Sequence, residues 1–242
     1  VNERKGWASG HFGIILSTKD GGESWTRLTE PDDQISYFDS FFIDEQVGFF
    51  AGAYGEYSKT EDGGANLENE MINEDEPHFY SIEQTPNGTL FMVGEMGQVH
   101  RSTNQGKSWR HLDFPYEGSL FDILSVDDDT LLAFGLRGHM FRTENAGKSW
   151  KEIIHEQPEM LTSGIVLPSG SILLASVTDK LLMSMDKGFT FYPIVQPGID
   201  GTVAMAESAD GQLIHLVGKH GILAVQTADL ESALAKAVKT DD

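Results

Sequence analysis

Apolar residues in this chain come in short runs, rich in aromatic and β-branched side chains and closed by glycine, aspartate or asparagine. The segments "YFDSFFI" (37–43), "VGFFAG" (47–52), "SLFDILSV" (119–126) and "TLLAFG" (130–135) are examples. Runs of this length and composition predict β-strands. Many neighbouring runs are joined by Gly-x-x-Gly: "GHFG" (10–13), "GAYG" (52–55), "GEMG" (94–97), "GLRG" (135–138) and "GKHG" (218–221). Glycine supplies the positive φ that tight hairpins need. One junction reads "SVTD" (176–179) instead, and there Asp179 is expected in the left-handed position. Near the end the period changes. Leu230, Ala233, Leu234 and Ala237 fall on one helical face after a candidate N-cap at Asp229, predicting a helical tail over 229–242. Such a tail either covers a sheet edge or docks on a partner.

A second kind of turn repeats. The segments "STKDGGESW" (17–25), "KTEDGGANL" (59–67), "RSTNQGKSW" (101–109), "RTENAGKSW" (142–150) and "MSMDKGFTF" (183–191) end on Trp25, Leu67, Trp109, Trp150 and Phe191, spaced 42, 42, 41 and 41 residues apart. Strand-like sequence with a period near this length predicts an all-β propeller of four-stranded blades. Naming the strands A to D from the axis outward, the Gly-x-x-Gly turn joins B to C and the repeated box joins C to D. Asp20, Asp62, Asn104, Asn145 and Asp186 of the boxes are placed to accept hydrogen bonds from turn amides. The closing aromatics are expected to fill the space between sheets. Since a fold-determining turn is needed in every blade and a catalytic group only once, the boxes read as scaffold. The blades fall at about 1–33 (partial), 34–75, 76–116, 117–158, 159–199 and 200–228, with the tail at 229–242. The opening "VNERKGWASG" lies in mid-repeat, so a preceding segment is expected to hold the missing strands and close the ring.

The box resembles the Asp-box, or BNR, repeat. With its context, including "GWASGHFGIILSTKDGGESW", "GFFAGAYGEYSKTEDGG", "PYEGSLFDILS" (115–125) and "LLAFGLRGHMFR" (131–142), the chain is similar to the photosystem II stability/assembly factor family, in its non-photosynthetic bacterial branch. The resemblance covers roughly residues 6–226. It implies a seven-bladed propeller when complete, about six blades of which are represented here. It also implies a non-catalytic scaffold that binds a protein partner in assembly or export. For this branch it implies an exported, periplasmic protein working beside membrane transporters of the RND type. Photosynthetic members present a basic patch; this chain departs from them with six arginines.

Acidic residues outnumber basic ones 38 to 17, for a formal net charge of −21. That charge opposes the phosphate neutralisation on which nucleic-acid binding depends, and polybasic attachment to anionic lipid. No run reaches the length of a transmembrane helix, so the expected partner is a protein, membrane-associated but not reached by insertion. There is no cysteine, which removes disulfides, thiolate zinc sites and cysteine nucleophiles. No cofactor and no metal are expected. Asp127, Asp128 and Asp129 in "VDDDT" and the acidic "NLENEMINEDEPHF" (66–79) read as solvated loops; a calcium site at the former lacks EF-hand spacing.

Function in propellers sits on loops held by the rigid sheets. The D–A loops and B–C turns share the face opposite the boxes. Their tips differ from blade to blade: His11 and Phe12, Tyr54, Glu95 and Met96, Arg137, then Lys219 and His220. Aromatic, cationic and soft apolar groups suit a protein-binding surface. The sharpest expected cluster joins Tyr116 and Glu117 of one D–A loop to Arg137 and His139. On the inner strands Asp39, Ser81, Asp122, Ser163 and Ala204 recur at spacings of 42, 41, 41 and 41 as channel-lining positions. The two carboxylates there either form an acid/base or cation site or hydrogen-bond neighbouring backbone. The rival function is a sialidase-type glycoside hydrolase, which needs converging arginines; Arg27, Arg101, Arg110 and Arg142 lie beside boxes, and only Arg137 is expected at a mouth.

Overall fold

The strands that the short apolar runs predict pair with their sequence neighbours, because short turns leave antiparallel pairing as the nearest way to satisfy backbone groups. The structure is a computed structural model and describes residues 2–241. The fold is a β-propeller made of antiparallel sheets that follow one another along the chain. It divides into two units, residues 1–119 and 120–242.

In the first unit, β1 (Gly6–Ser9), β2 (Ile15–Thr18) and β3 (Thr26–Arg27) make a three-stranded sheet. Four strands, β4 (Tyr37–Phe42), β5 (Gly48–Gly52), β6 (Tyr57–Thr60) and β7 (Glu68–Asn69), make the next. The third holds β8 (Phe79–Gln84), β9 (Leu90–Gly94), β10 (Val99–Ser102) and β11 (Arg110–His111). The acidic stretch after residue 66, read as all loop, thus contributes Glu68–Asn69 to a short outer strand.

The second unit repeats the plan. Its fourth sheet has β12 (Leu120–Ser125), β13 (Leu131–Gly135), β14 (Met140–Thr143) and β15 (Lys151–Glu152). Its fifth has β16 (Leu161–Val166), β17 (Ile172–Ser176), β18 (Lys180–Ser184) and β19 (Tyr192–Val195). The sixth has three strands, β20 (Thr202–Glu207), β21 (Leu213–Gly218) and β22 (Gly221–Gln226), followed by helix α1 (Thr227–Asp241).

Within each unit consecutive sheets pack face to face. Every residue of β5, β9, β13 and β17 is buried, which is why these strands read as unbroken apolar runs rather than alternating ones. Phe49, Ala51 and Tyr57 of the second sheet meet Phe79, Ile82, Leu90 and Met92 of the third in one core. Leu124, Leu132 and Phe134 of the fourth meet Leu161, Ile172 and Leu174 of the fifth in another.

Each repeated box is a closed turn. In the first, Thr18 Oγ1 donates to Asp20 Oδ1 at 2.7 Å and accepts the Gly22 amide at 2.9 Å, while the Ser24 amide donates to Asp20 Oδ1 at 2.9 Å. The same bonds recur around Asp62, Asn104, Asn145 and Asp186. The turn leans on the preceding sheet: a Cβ on Gly106 would lie 2.3 Å from Phe49, and one on Gly188 2.7 Å from Leu132. Trp109 follows suit, edge-on to Tyr57 at 5.7 Å. Trp25 departs from the expected burial. It is 45% exposed, because the strands that cover Trp109 come from a preceding sheet and none precedes Trp25 among the described residues.

Two further expectations are corrected. Asp179 is not left-handed. Its Oδ1 accepts the amides of Gly198, Ile199 and Asp200 at 2.9, 2.9 and 3.0 Å, so it ties down the loop leading to β20. Asp179→Ala is expected to cost about 1–2 kcal/mol in urea unfolding, with Asp179→Asn recovering much of it, since an acceptor is kept for buried donors. The helix begins at Thr227 rather than after a cap at Asp229, which lies in its first turn. Leu230 and Leu234, each 1% exposed, enter the core shared by the fifth and sixth sheets, with Ala233 and Val238 against it. The tail therefore covers a sheet edge. Among the described residues no helix is long and apolar enough to cross a membrane.

Candidate functional site

The B–C turns share one geometry in four sheets. After β5, the Gly52 amide donates to Glu56 O at 2.9 Å and the Glu56 amide to Ala53 O at 3.0 Å. The pattern returns around Glu95–Gly97 and Leu136–Gly138. Each turn lies against the D–A loop that follows its own sheet. A Cβ on Gly97 would stand 1.9 Å from Tyr116 O, and one on Gly138 2.4 Å from Gln157 O. Both glycines also have left-handed φ, of 66° and 75°, so these positions exclude any side chain twice over.

The residue just before each of these glycines is left-handed as well, and it is never small. Phe12, Tyr54, Met96 and Arg137 have φ of 61°, 56°, 54° and 57°. Such a conformation costs about 1–2 kcal/mol for a residue with a Cβ, and glycine or asparagine would adopt it with less strain. The side chains held there are nevertheless turned outward: Tyr54 is 70% exposed, Phe12 59% and Met96 50%. Arg137 is exposed too. The sixth sheet differs, since Lys219 and His220 form a two-residue hairpin between paired Gly218 and Gly221. Both are tied to Asp200, whose carboxylate meets Lys219 Nζ and, at 2.7 Å, His220 Nε2. Lys219 and then His220 hold Asp200 below the usual carboxylate range.

The residues expected together at Arg137 fall in two units, and each has neighbours in its own. Tyr116 and Glu117 precede the fourth sheet, and their loop packs on the Glu95–Gly97 turn, where the Gly97 amide donates to Gly118 O at 2.9 Å. Arg137 instead borders a cleft of about 260 Å³ with Ile154, His155 and Pro158. His155 Nε2 bonds Gly138 O at 2.7 Å, and His139 Nδ1 lies 2.6 Å from Glu152 Oε1. His11 Nδ1 is 3.1 Å from Ser36 Oγ.

In the first unit the turns bring together an aromatic group that sequence reasoning missed. Tyr54 stands edge-on to His78 at 4.8 Å. His78 is 5.7 Å from Phe38, and Phe38 stacks on Tyr80 at 5.4 Å. Glu95 closes the row: it accepts the Tyr80 hydroxyl at 3.2 Å and the His78 amide at 3.2 Å. Burial and then the Glu95 charge push the Tyr80 phenol up to about 12, so Tyr80 stays a donor at any working pH. The overlooked signal lay beside one already in use: Phe38, Tyr80 and Phe121 immediately precede Asp39, Ser81 and Asp122. A register irregularity of the A strand falls at each of these rings, between Tyr37 and Asp39, Phe79 and Ser81, and Leu120 and Asp122.

The inner carboxylates serve the backbone. Asp39 accepts the Ser40 amide and, from the next sheet, the Ile82 amide, both at 2.7 Å. Asp122 likewise accepts Ile123 N at 2.8 Å and Gly164 N at 3.0 Å. Loss of water raises Asp39 above the usual carboxylate range, and these amides oppose the shift. Of the other positions, Ser81 is buried, Ser163 half-buried and Ala204 exposed. Asp127 accepts the amides of Asp129 and Thr130 at 3.2 and 2.8 Å, and among the described residues no three metal-ligating side chains gather. Three of the arginines named for a hydrolase are engaged locally. Arg142 is buried, donates to Lys187 O at 2.9 Å and lies over Phe189 at 3.7 Å. Arg27 pairs with Glu30 at 3.1 Å, and Arg101 sits over Phe91.

Residues 29–217 match the family described as photosynthesis system II assembly factor YCF48. Among solved structures the chain is similar to YCF48 bound to D1 peptide, with 20% identity, TM-score 0.64, and coverage of 79% of this chain and 63% of that one. It is similar to YCF48 from Cyanidioschyzon merolae at 17% identity and TM-score 0.63, over 78% of this chain and 66% of that one. The chain thus spans just under two thirds of the length of both. Virginiamycin B lyase from Staphylococcus aureus shares the fold at 14% identity and TM-score 0.70, over 93% of this chain and 84% of that one. No curated protein matches the chain. At these identities the structural likeness speaks for the propeller, which hosts enzymes and non-enzymes alike.

Proposed function

Because the chain belongs to the photosynthesis system II assembly factor YCF48 family, we propose that it is a non-catalytic scaffold whose B–C turns bind a protein partner. The observation that carries this reading is that large side chains are held outward in left-handed turns at Phe12, Tyr54, Met96 and Arg137. Strain kept at exposed tips, where smaller residues would relieve it, is the mark of a surface shaped for contact. Tyrosine and arginine, two of the four, are the residues on which interface energy concentrates. A YCF48 bound to D1 peptide lends further support. The non-catalytic part rests on the family and on Asp39 and Asp122, whose oxygens accept backbone amides.

The finer reading is assembly or export at the bacterial envelope, in the periplasm, beside a membrane-associated partner such as an RND-type transporter. It is supported by resemblance to the non-photosynthetic branch. Crosslinking and pull-down of the full-length protein from native membranes tests it. Arg137→Ala is expected to leave urea stability within about 0.5 kcal/mol, as an exposed tip should, while reducing partner capture. Failure to recover any partner, together with turnover of a sialoside, would replace this reading with the hydrolase.

A further inference from the structure

The aromatic row in the first unit has an acidic border. Tyr54 also lines a cleft of about 200 Å³ with Glu56, Glu70, Met71 and Glu76. The loop carrying Glu76 is fixed to the Tyr54 turn, with the Gly55 amide donating to Pro77 O at 2.9 Å. Ion pairs elsewhere in this unit join Lys5 to Glu45, Arg27 to Glu30 and Lys59 to Glu61. Glu56, Glu70 and Glu76 have no lysine or arginine at salt-bridge distance among the described residues. Glu95, half-buried, accepts from Tyr80 and from the His78 amide and stands 3.8 Å from His78 Nδ1. Ring contacts therefore run from Tyr54 over His78 to Phe38, itself 41% exposed, with Glu56, Glu70 and Glu76 beside Tyr54 and Glu95 beside His78 and Tyr80.

Resting on the reading of the turns as a docking surface, we propose that this row takes an arginine-bearing segment of the partner chain. The guanidinium stacks on the rings between Tyr54 and Phe38, and its neighbours along the segment reach the carboxylates of Glu56, Glu70 and Glu76. Charge complementarity selects this occupant. An apolar segment would strip water from those carboxylates without replacing it, and an acidic one would be repelled by them and by a chain of net charge −21. Arginine fits better than lysine because its planar, weakly hydrated cation lies flat on an aromatic face while its edge still donates to carboxylates.

The test uses the full chain and labelled short peptides, identical except that one carries arginines, one lysines and one citrullines at the same positions. Binding is followed by fluorescence anisotropy. The arginine peptide is expected to bind about tenfold more tightly than the citrulline peptide, and more tightly than the lysine peptide. Tyr54→Ala and the pair Glu70→Gln/Glu76→Gln should each weaken it about fivefold or more, with the thermal midpoint unchanged. The pair Glu23→Gln/Glu231→Gln removes the same charge from exposed sites elsewhere and should change binding less than about twofold. Equal binding of the citrulline or lysine peptide, equal weakening by the control pair, or no binding of any peptide overturns the proposal. The docking reading is judged separately, by a photocrosslinker at position 54 in native membranes. Capture through a segment without arginine leaves docking standing and the proposed occupant wrong; absence of any crosslink from the turn tips removes docking itself.

Discussion

Trp109→Ala is expected to lower the unfolding free energy by about 3–4 kcal/mol, read as a fall in the urea midpoint at unchanged slope. The indole is half-buried and meets the core shared by the second and third sheets, with Tyr57 edge-on to it. Truncation opens a void against Phe49 and Tyr57, which the box backbone cannot fill because Gly106 already touches both. Trp25→Ala removes the same residue from the same place in its repeat, yet it should cost about 1 kcal/mol or less, since that ring is 45% exposed and bonds only its own turn through Gly22 O. Equal losses at the two positions would mean that the box acts locally and that packing between sheets contributes little.

Acid should destabilise the protein before most of its carboxylates titrate. His100, on β10, is 3% exposed and lies edge-on to Phe79 at 5.5 Å. Its Nε2 donates to Gln98 Oε1 at 2.9 Å, an oxygen that also accepts Asn73 Nδ2 at 2.9 Å. Burial, and then the nearby His111 charge, push His100 down from 6.5 to about 4. Between those values the unfolded chain binds a proton that the folded chain refuses, so stability falls as pH drops from about 6.5 to about 4 and levels off below. The full loss for one such group is about 3 kcal/mol. His100→Leu should flatten the urea midpoint over that window. The box aspartates act lower: Asp20 is held down to about 2 by its bonds to Ser24, so its contribution disappears only below about pH 4. A pH 4.5–6.5 slope unchanged in His100→Leu would contradict this account.

Much of the fold was legible because the signals were local. The box needs its Asp or Asn, its glycine and its closing apolar group within nine residues, and the Gly-x-x-Gly turns are shorter still. The departures share one cause, contact between elements distant in sequence. Nothing near Asp179 indicates that the amides of residues 198–200 will converge on it. The loop of Tyr116 packs on the turn of its own sheet, at Gly97, and nothing in the sequence of that turn marks the approach. The row from Tyr54 to Tyr80 joins two sheets and an intervening loop, so no single window of sequence contains it. Trp25 carries the same motif as Trp109 and differs only in what lies beneath it.

The carboxylates of Asp39 and Asp122 have an effect on breathing as well as on architecture. Each reaches across to a main-chain amide of its successor, at Ile82 and Gly164, so the second sheet is buttoned to the third and the fourth to the fifth. Opening of either sheet of such a pair should then break that bond, and the amide protons of Ile82 and Gly164 should exchange with solvent no faster than those of the strands that carry Asp39 and Asp122. Within each unit, a repeat fastened in this way would fray together with its neighbour rather than alone.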